Sequence, residues 1–281
     1  MRLRWLVLVC STALAIVSQG CDTPPPPASP FKYSADAKRA YDSALALFEA
    51  HEWVNAEAEM REVVRKFRFT KYGTQAELRI ADIAFEQDKF AEAIVAYRKF
   101  IETHRTQEDE IVYARSRIAE SEFRQVPDSF ILSTAEERDQ GGALDAYREA
   151  RSFLEDYPHA KETEKVRELY QSLTDRLIRH ELYVAKFYLD RENFDAAVSR
   201  VKYAIGNYGG AANSASGSKV LLAPIGTLEA EALVLLGEVY LRMHKYEEAR
   251  RAFETVVGEF QATGHVLAAR SHLARMAKQR L

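Results

Sequence analysis

The segments Leu236-Gly237-Glu238-Val239-Tyr240 and Tyr246-Glu247-Glu248-Ala249-Arg250-Arg251-Ala252-Phe253 contain the pattern that decides the fold of this 281-residue chain. Their apolar residues recur at the three- and four-residue spacing of one helix face. An aromatic residue stands three positions before Ala249, and Gly237 stands twelve positions before it. Because helices approach closely only where small side chains face each other, the two segments predict a tightly packed antiparallel helix pair.

The same pattern recurs at three other places in the chain. An aromatic residue, two further residues and an alanine are found at Trp53 to Ala56, Phe90 to Ala93 and Phe194 to Ala197. Twelve positions before each alanine lies another one: Ala44, Ala81 and Ala185. A looser copy contains Ala146, Ala150, Phe153 and Tyr157-Pro158, whose proline ends a helix.

Such recurring helix pairs are typical of tetratricopeptide repeats. No convincing alternation of apolar and polar residues indicates a strand. We therefore predict an all-α fold, a tetratricopeptide-repeat superhelix of about five helix pairs over residues 33–281.

The repeats are separated unevenly, which predicts two long loops, near residues 126–142 and 206–226. The second is rich in glycine and serine around Lys219. It lacks the Gly-Lys-Ser/Thr ending and the preceding strand of a phosphate-binding loop, so we interpret it as a flexible linker.

Residues 1–20 have the pattern of a signal peptide. Two arginines precede an apolar stretch from Trp5 to Val17 that is too short to span a bilayer. Gly20 stands directly before Cys21, as at the acylation and cleavage site of bacterial lipoproteins. We predict that Cys21 becomes the first residue and carries covalent diacylglycerol and an acyl chain, with no other cofactor. An ordinary signal peptide with an unmodified Cys21 is the alternative.

The composition of the mature chain limits its partners. Cys10 lies in the removed segment, so no internal disulfide can form. Removal of Arg2 and Arg4 changes the formal net charge from -3 to -5, which provides no basic patch for nucleic acid. Residues 21–32 are rich in proline and are interpreted as a semi-rigid membrane tether. A proline-rich ligand for an aromatic groove is the alternative.

No sequence motif indicates an enzyme or a metal site. The histidines are scattered without a His-Glu-x-x-His motif, and His265 and His272 are interpreted as two points on one helix. No serine lies in a nucleophile elbow, and paired carboxylates such as Glu247 and Glu248 are interpreted as exposed helix charges.

Several segments together resemble the BamD family of tetratricopeptide lipoproteins, also called ComL, over nearly the whole chain. The run from Phe67 to Ala76 is similar to the family's Tyr-Pro-Phe-Gly-Pro-Tyr-Ser motif, and residues 137–140 are similar to its acidic Arg-Asp loop. The stretches 157–177, 180–188 and 194–201 are also similar. The chain departs from the family in lacking the proline after Phe67, and in its Gly/Ser-rich insertion.

The resemblance implies a lipid-anchored scaffold that faces the periplasm in the outer-membrane β-barrel assembly machine. The implied partners are a BamA-type barrel protein with POTRA domains, other lipoproteins of the machine and unfolded outer membrane proteins. Asp22 after the lipid cysteine is a retention signal for the inner membrane in enteric bacteria, so that membrane is an alternative location.

The resemblance also implies two sets of site residues. Consensus groove positions for a substrate peptide are Tyr41, Phe48, Gln75, Asp82 and Phe85. Packing between repeats is the alternative role for the two phenylalanines. Arg191 and Arg200 match family arginines and are assigned to the BamA contact, where a guanidinium suits a carboxylate. A solvated helix face is the alternative for these arginines.

A different function is a periplasmic tetratricopeptide lipoprotein scaffold that coordinates envelope division or peptidoglycan synthesis. Such proteins often carry a coiled-coil segment before their repeats. Here a short proline tether leads directly into the first repeat, which favours the assembly machine.

Overall fold

The computed structural model describes residues 30–127, 135–137, 139–209 and 226–281. The predicted signal peptide, residues 21–29 of the predicted tether with Cys21 and Asp22, and residues 128–134, 138 and 210–225 of the two predicted loops lie outside these ranges. Residues 30–32, predicted as the end of the tether, instead begin a helix, since proline is tolerated in the first turn. The described residues form eleven α-helices and a short 3-10 helix, Ala135–Glu137. In chain order the α-helices are α1 Pro30–Glu49, α2 Trp53–Phe67, α3 Lys71–Glu86, α4 Phe90–Thr103, α5 Glu108–Gln125, α6 Gly141–Asp156, α7 Thr163–Asp190, α8 Phe194–Tyr208, α9 Gly226–Arg242, α10 Tyr246–Glu259 and α11 His265–Gln279.

The helices pack as five consecutive pairs, α1–α2 to α9–α10, and α11 covers the last pair. The first helix of each pair also contacts the first helix of the next, so α1, α3, α5, α7, α9 and α11 form a continuous row. Antiparallel pairs that contact mainly their neighbours are the architecture of a helical solenoid. The predicted all-α tetratricopeptide superhelix is confirmed.

Four of the five pairs are closed by the same turn. His51, Asp88, Glu192 and His244 adopt left-handed backbone angles, with φ of 58–59°. In each turn the next residue donates its N–H to the carbonyl five positions earlier, as in Lys89 to Ala84 at 3.0 Å and Lys245 to Tyr240 at 2.9 Å. This Schellman motif satisfies the last carbonyls of the first helix and reverses the chain into the second.

The small residues found in the sequence lie where the two helices of a pair meet. Ala44 and Ala56 are fully buried in one apolar cluster, and Ala81 and Ala93 are fully buried in the next. In the last pair, a Cβ added to Gly237 would lie 2.5 Å from a ring carbon of Phe253, which is itself fully buried. Glycine at this position therefore allows the Phe253 ring to pack against the backbone of α9.

The third and fourth pairs depart from the regular unit. The connection between α5 and α6 is long, and α6 begins only at Gly141. The 28-residue helix α7 is about 42 Å long and packs on α5, α6, α8 and the 3-10 helix. The bounds of the second predicted loop need correction, because residues 206–208 belong to α8, which continues to Tyr208, and Gly226 belongs to α9.

We predict that Gly237→Ala lowers the free energy of unfolding by about 1–3 kcal/mol, because the new methyl group would overpack against Phe253. Urea denaturation measures the change. Gly258→Ala is the matched control, since a Cβ at Gly258 on α10 meets no atom within 4 Å and alanine favours a helix. Equal stability of the two variants would contradict the packing explanation.

Candidate functional site

The groove residues predicted from the sequence lie on the first helices of pairs one and two. Tyr41 and Phe48 belong to α1, and Gln75, Asp82 and Phe85 belong to α3, which contacts α1. The structure therefore places them on two adjacent helices of the continuous row.

These five side chains differ in accessibility. Phe48 and Gln75 are half-buried, whereas Tyr41, Asp82 and Phe85 are buried. Phe48 packs edge-on against Trp53, with ring centroids 5.4 Å apart, and Tyr41 lies 5.9 Å from Tyr72. A peptide on this face would meet Phe48 and Gln75 directly.

Asp82 is the centre of a buried polar network. Only 1% of its surface is exposed, and its carboxylate accepts hydrogen bonds from Tyr97 at 2.5 Å and Tyr113 at 3.0 Å. Arg79 of the same helix donates to the other carboxylate oxygen, and Arg117 of α5 lies 4.0 Å away. The network joins α3, α4 and α5, and the buried carboxylate is both paired with cations and hydrogen-bonded, as a buried charge requires.

Arg117 and Glu120 extend the network towards the fourth pair. The Arg117 guanidinium lies 3.5 Å from the centre of the Phe85 ring and pairs with Glu86 at 3.1 Å. It also donates to Glu120 at 2.9 Å, and Glu120 accepts from Lys165 of α7 at 2.7 Å. Charged and aromatic groups thus connect three successive first helices, α3, α5 and α7.

The environment of Asp82 changes the ionisation of the nearby phenols. Burial, and after it the negative charge of Asp82, raises the pKa of Tyr113 to about 12. The same two causes, in the same order, raise the pKa of Tyr97 further. Both phenols therefore remain neutral hydrogen-bond donors to Asp82 at neutral pH.

Arg191 and Arg200 both belong to the fourth pair and are exposed. Arg191 is the residue directly after α7. Its guanidinium carbon lies 3.5 Å from the centre of the Phe187 ring, and it donates to the Phe187 carbonyl at 3.2 Å. Arg200 of α8 donates to the buried Glu181 at 3.2 Å. Arg191 is thus held by the ring and the carbonyl of Phe187, and Arg200 by the Glu181 carboxylate. A guanidinium has five N–H donors, so each arginine retains further donors for a partner.

Sequence reasoning missed the exposed aromatic residues beside Arg191. Tyr183 and Phe187 stand two and one helical turns before it on α7, and both are exposed. The Tyr183 hydroxyl donates to Glu137 of the 3-10 helix at 2.8 Å. The four-residue spacing of these three residues is the signal that could have identified the stripe.

Within the described ranges, no three or more histidine, cysteine or acidic side chains are grouped as a metal site would require. The helices of these ranges also include none with the length and apolar character needed to cross a bilayer.

Comparisons with known proteins agree with this architecture. The family YfiO, described as outer membrane lipoprotein, matches residues 34–223, which include the first four helix pairs. The chain belongs to this family. A tetratricopeptide-repeat family also matches residues 231–262 of the last pair. The resemblance to BamD-type tetratricopeptide lipoproteins inferred from the sequence is confirmed.

Relatives of this YfiO-family chain carry a consistent description. The chain is similar to the outer membrane protein assembly factor BamD of Vibrio cholerae, with 23% identity over 164 residues, 58% of this chain and 68% of that protein. It is also similar to the assembly factor BamD of Xylella fastidiosa, with 22% identity over 223 residues, 76% of this chain and 70% of that protein. These descriptions name assembly factors, in agreement with the expectation of a non-enzymatic protein.

Among solved structures, the chain is similar to the TPR2AB-domain:pHSP90-complex of yeast Sti1. The sequence identity is 10%, the TM-score is 0.43, and the match covers 87% of this chain and 86% of that one.

We predict that Asp82→Ala lowers the free energy of unfolding by about 3 kcal/mol, because Arg79 and Arg117 lose their buried counter-charge. Chemical denaturation measures the loss. Asp145→Ala is the control, since Asp145 pairs with Arg148 where both side chains are mostly exposed, and its removal should have no measurable effect. Comparable stability of the two variants would show that the Asp82 network does not hold the repeats together.

We predict that Tyr113 makes the protein lose stability between pH 10 and pH 12. In this range the unfolded tyrosine ionises while the folded one, with its raised pKa, keeps its proton, so the folded state binds more protons and stability falls as pH rises. Tyr113→Phe should make the dependence shallower by up to about 1.4 kcal/mol per pH unit. Unfolding curves at several pH values test this, and an unchanged slope would contradict it.

Proposed function

We propose that this protein is a lipid-anchored, periplasm-facing scaffold subunit of the outer-membrane β-barrel assembly machine. The observation that carries the proposal is the family match across the first four helix pairs, since relatives in the comparison are named outer membrane protein assembly factors. In this proposal Cys21 bears the diacylglycerol and acyl chain that hold the protein at the outer membrane.

The fourth helix pair is the proposed docking site for the POTRA domains of a BamA-type barrel protein. The contacts of Arg191 with Phe187 and of Arg200 with Glu181 fix the guanidinium groups before binding. Preorganised arginines lose less conformational entropy when they pair with carboxylates across an interface. The exposed rings of Tyr183 and Phe187 add apolar area beside the charge, a combination that is frequent in binding hot spots.

The row formed by α1 and α3 is the proposed receiving surface for unfolded outer membrane proteins. Phe48 and Gln75 supply an accessible aromatic ring and an amide, which suit an extended chain with alternating apolar and polar residues. Tyr41, Asp82 and Phe85 lie beneath this surface and support it through their contacts with Tyr72, Tyr97 and Arg117. Other lipoproteins of the machine are expected as further partners.

The overall proposal is tested by purifying the full-length lipoprotein from gently solubilised membranes and identifying its companions by mass spectrometry. Recovery of a POTRA-containing barrel in near-equal amount is expected. Recovery of peptidoglycan synthases or division proteins without that barrel would refute the proposal.

We predict that Arg191→Glu reduces recovery of the barrel protein by about tenfold or more, because a carboxylate replaces the docking cation. Arg61→Glu in the first pair is the matched control, since Arg61 is also an exposed arginine and the charge change is the same. Recovery with Arg61→Glu should be unchanged. Equal recovery of the barrel protein with both variants would contradict the assignment of Arg191 to the docking site.

A further inference from the structure

Two phenylalanines are almost completely exposed at one end of the first helix pair. Phe31 at the start of α1 is 90% exposed, and Phe69 between α2 and α3 is 94% exposed. Both rings are in water, although neither forms part of the groove or the Arg191 surface. Single exposed apolar residues are common, but two aromatic rings at one place mark a surface that binds something.

The structure brings the two segments together. The rings of Tyr33 and Phe67 are 5.2 Å apart, and the Tyr33 hydroxyl donates to the Lys66 carbonyl at 2.7 Å. Phe31 lies two residues before Tyr33, and Phe69 lies two residues after Phe67. The start of α1, the end of α2 and the start of α3 therefore meet at this end.

This end of the first pair is also basic. The stretches 31–35 and 66–72 contain four basic residues and no acidic residue: Lys32, Lys66, Arg68 and Lys71. All four are exposed. Lys66 pairs with Glu62 at 3.2 Å, and the Lys71 ammonium lies 5.1 Å from the centre of the Tyr72 ring. We call the surface formed by Phe31, Phe69 and these four cations the aromatic-basic edge.

We infer that the aromatic-basic edge docks on a lipid surface carrying anionic headgroups. Phenylalanine side chains of membrane-surface segments insert into the boundary between headgroups and acyl chains, and lysine and arginine are attracted to anionic lipids. Exposed rings combined with cations fit a headgroup layer better than they fit an acidic protein surface. An acidic surface pairs with the cations, whereas a bilayer also provides an apolar layer for the rings.

The position of the edge in the chain supports a membrane as the occupant. Cys21 precedes Pro30, where α1 begins, by nine residues, and a fully extended segment of this length spans about 30 Å. This step rests on the proposed acylation of Cys21, which keeps the edge within that distance of the bilayer. An acyl anchor combined with a basic patch is a recognised pair of membrane signals.

Docking at this edge sets the orientation of the scaffold. The amino-terminal ends of α1 and α3 lie at the edge, so both groove helices would stand with these ends at the headgroups and their other ends directed away. The acyl chains alone hold the protein at the membrane but do not fix its orientation.

The test uses the acylated, full mature chain with Phe69→Trp, reconstituted in phosphatidylethanolamine vesicles with or without phosphatidylglycerol. Flotation separates bound protein, and the emission of the introduced tryptophan is obtained by difference from the unsubstituted protein, whose Trp53 gives the background. With anionic vesicles we expect this emission to shift to shorter wavelength and to be quenched by brominated lipid. Leu267→Trp on α11, at a position that is also highly exposed, is the matched control and should show neither effect.

The charges are tested in the same assay. Adding Arg68→Gln and Lys71→Gln to the Phe69→Trp protein should lower the equilibrium constant for docking of the edge roughly 25-fold. Each cation removed contributes a factor of about five. The variant should still float, because its acyl anchor is unchanged.

The outcomes separate the two proposals. Acylated protein that does not float shows that the acyl chains do not hold it at a membrane, and refutes both the membrane anchoring and the docking of the edge. Protein that floats while the introduced tryptophan keeps its unshifted emission overturns the docking alone. Equal quenching in neutral vesicles overturns the role of anionic headgroups, and a shift in native membranes but not in lipid vesicles overturns the lipid in favour of a protein partner.

Discussion

The close approach of two helices at small residues is the constraint on which the rest of the structure depends. Where Ala44 meets the helix of Ala56, or Gly237 meets Phe253, a larger side chain would separate the pair. The distance between the two helices of a pair sets the distance between the first helices of successive pairs. The continuous row of first helices therefore depends on the few small residues at these contacts, and so does every surface built on it.

A second level of organisation comes from polar contacts between the repeats. Among the residues that the structure describes, apolar packing is divided into three clusters, one in pairs one and two, one in pairs two and three, and one from pair three to α11. The Asp82 network joins the three helices of the middle cluster, and the contact of Glu120 with Lys165 connects α5 to α7 of the next cluster. Hydrogen bonds have stricter geometry than apolar contacts, so this network fixes the relative rotation of successive pairs.

Much of the fold could be predicted from the sequence because small and aromatic residues recur at fixed spacings within each helix pair. The distance from Ala81 to Ala93 and the aromatic residue at Phe90 locate a helix pair without any knowledge of distant contacts. The accessibility of the candidate site could not be predicted in this way. Consensus counting places Asp82 on the groove, but its burial results from Tyr97, Tyr113 and Arg117 on two other helices. Exposure of Phe31 and Phe69 likewise depends on how three chain segments meet.

The neighbour-only contacts of the helix row have a consequence for biogenesis. The helices of each pair contact one another and the helices of the neighbouring pairs, so the contacts between helices join segments that follow one another in the chain. Chains with such a low contact order fold rapidly, since little loop entropy is lost before contacts form. A chain that emerges from a translocation channel amino-terminus first can thus build its superhelix in order of emergence, and each completed pair becomes the template for the next.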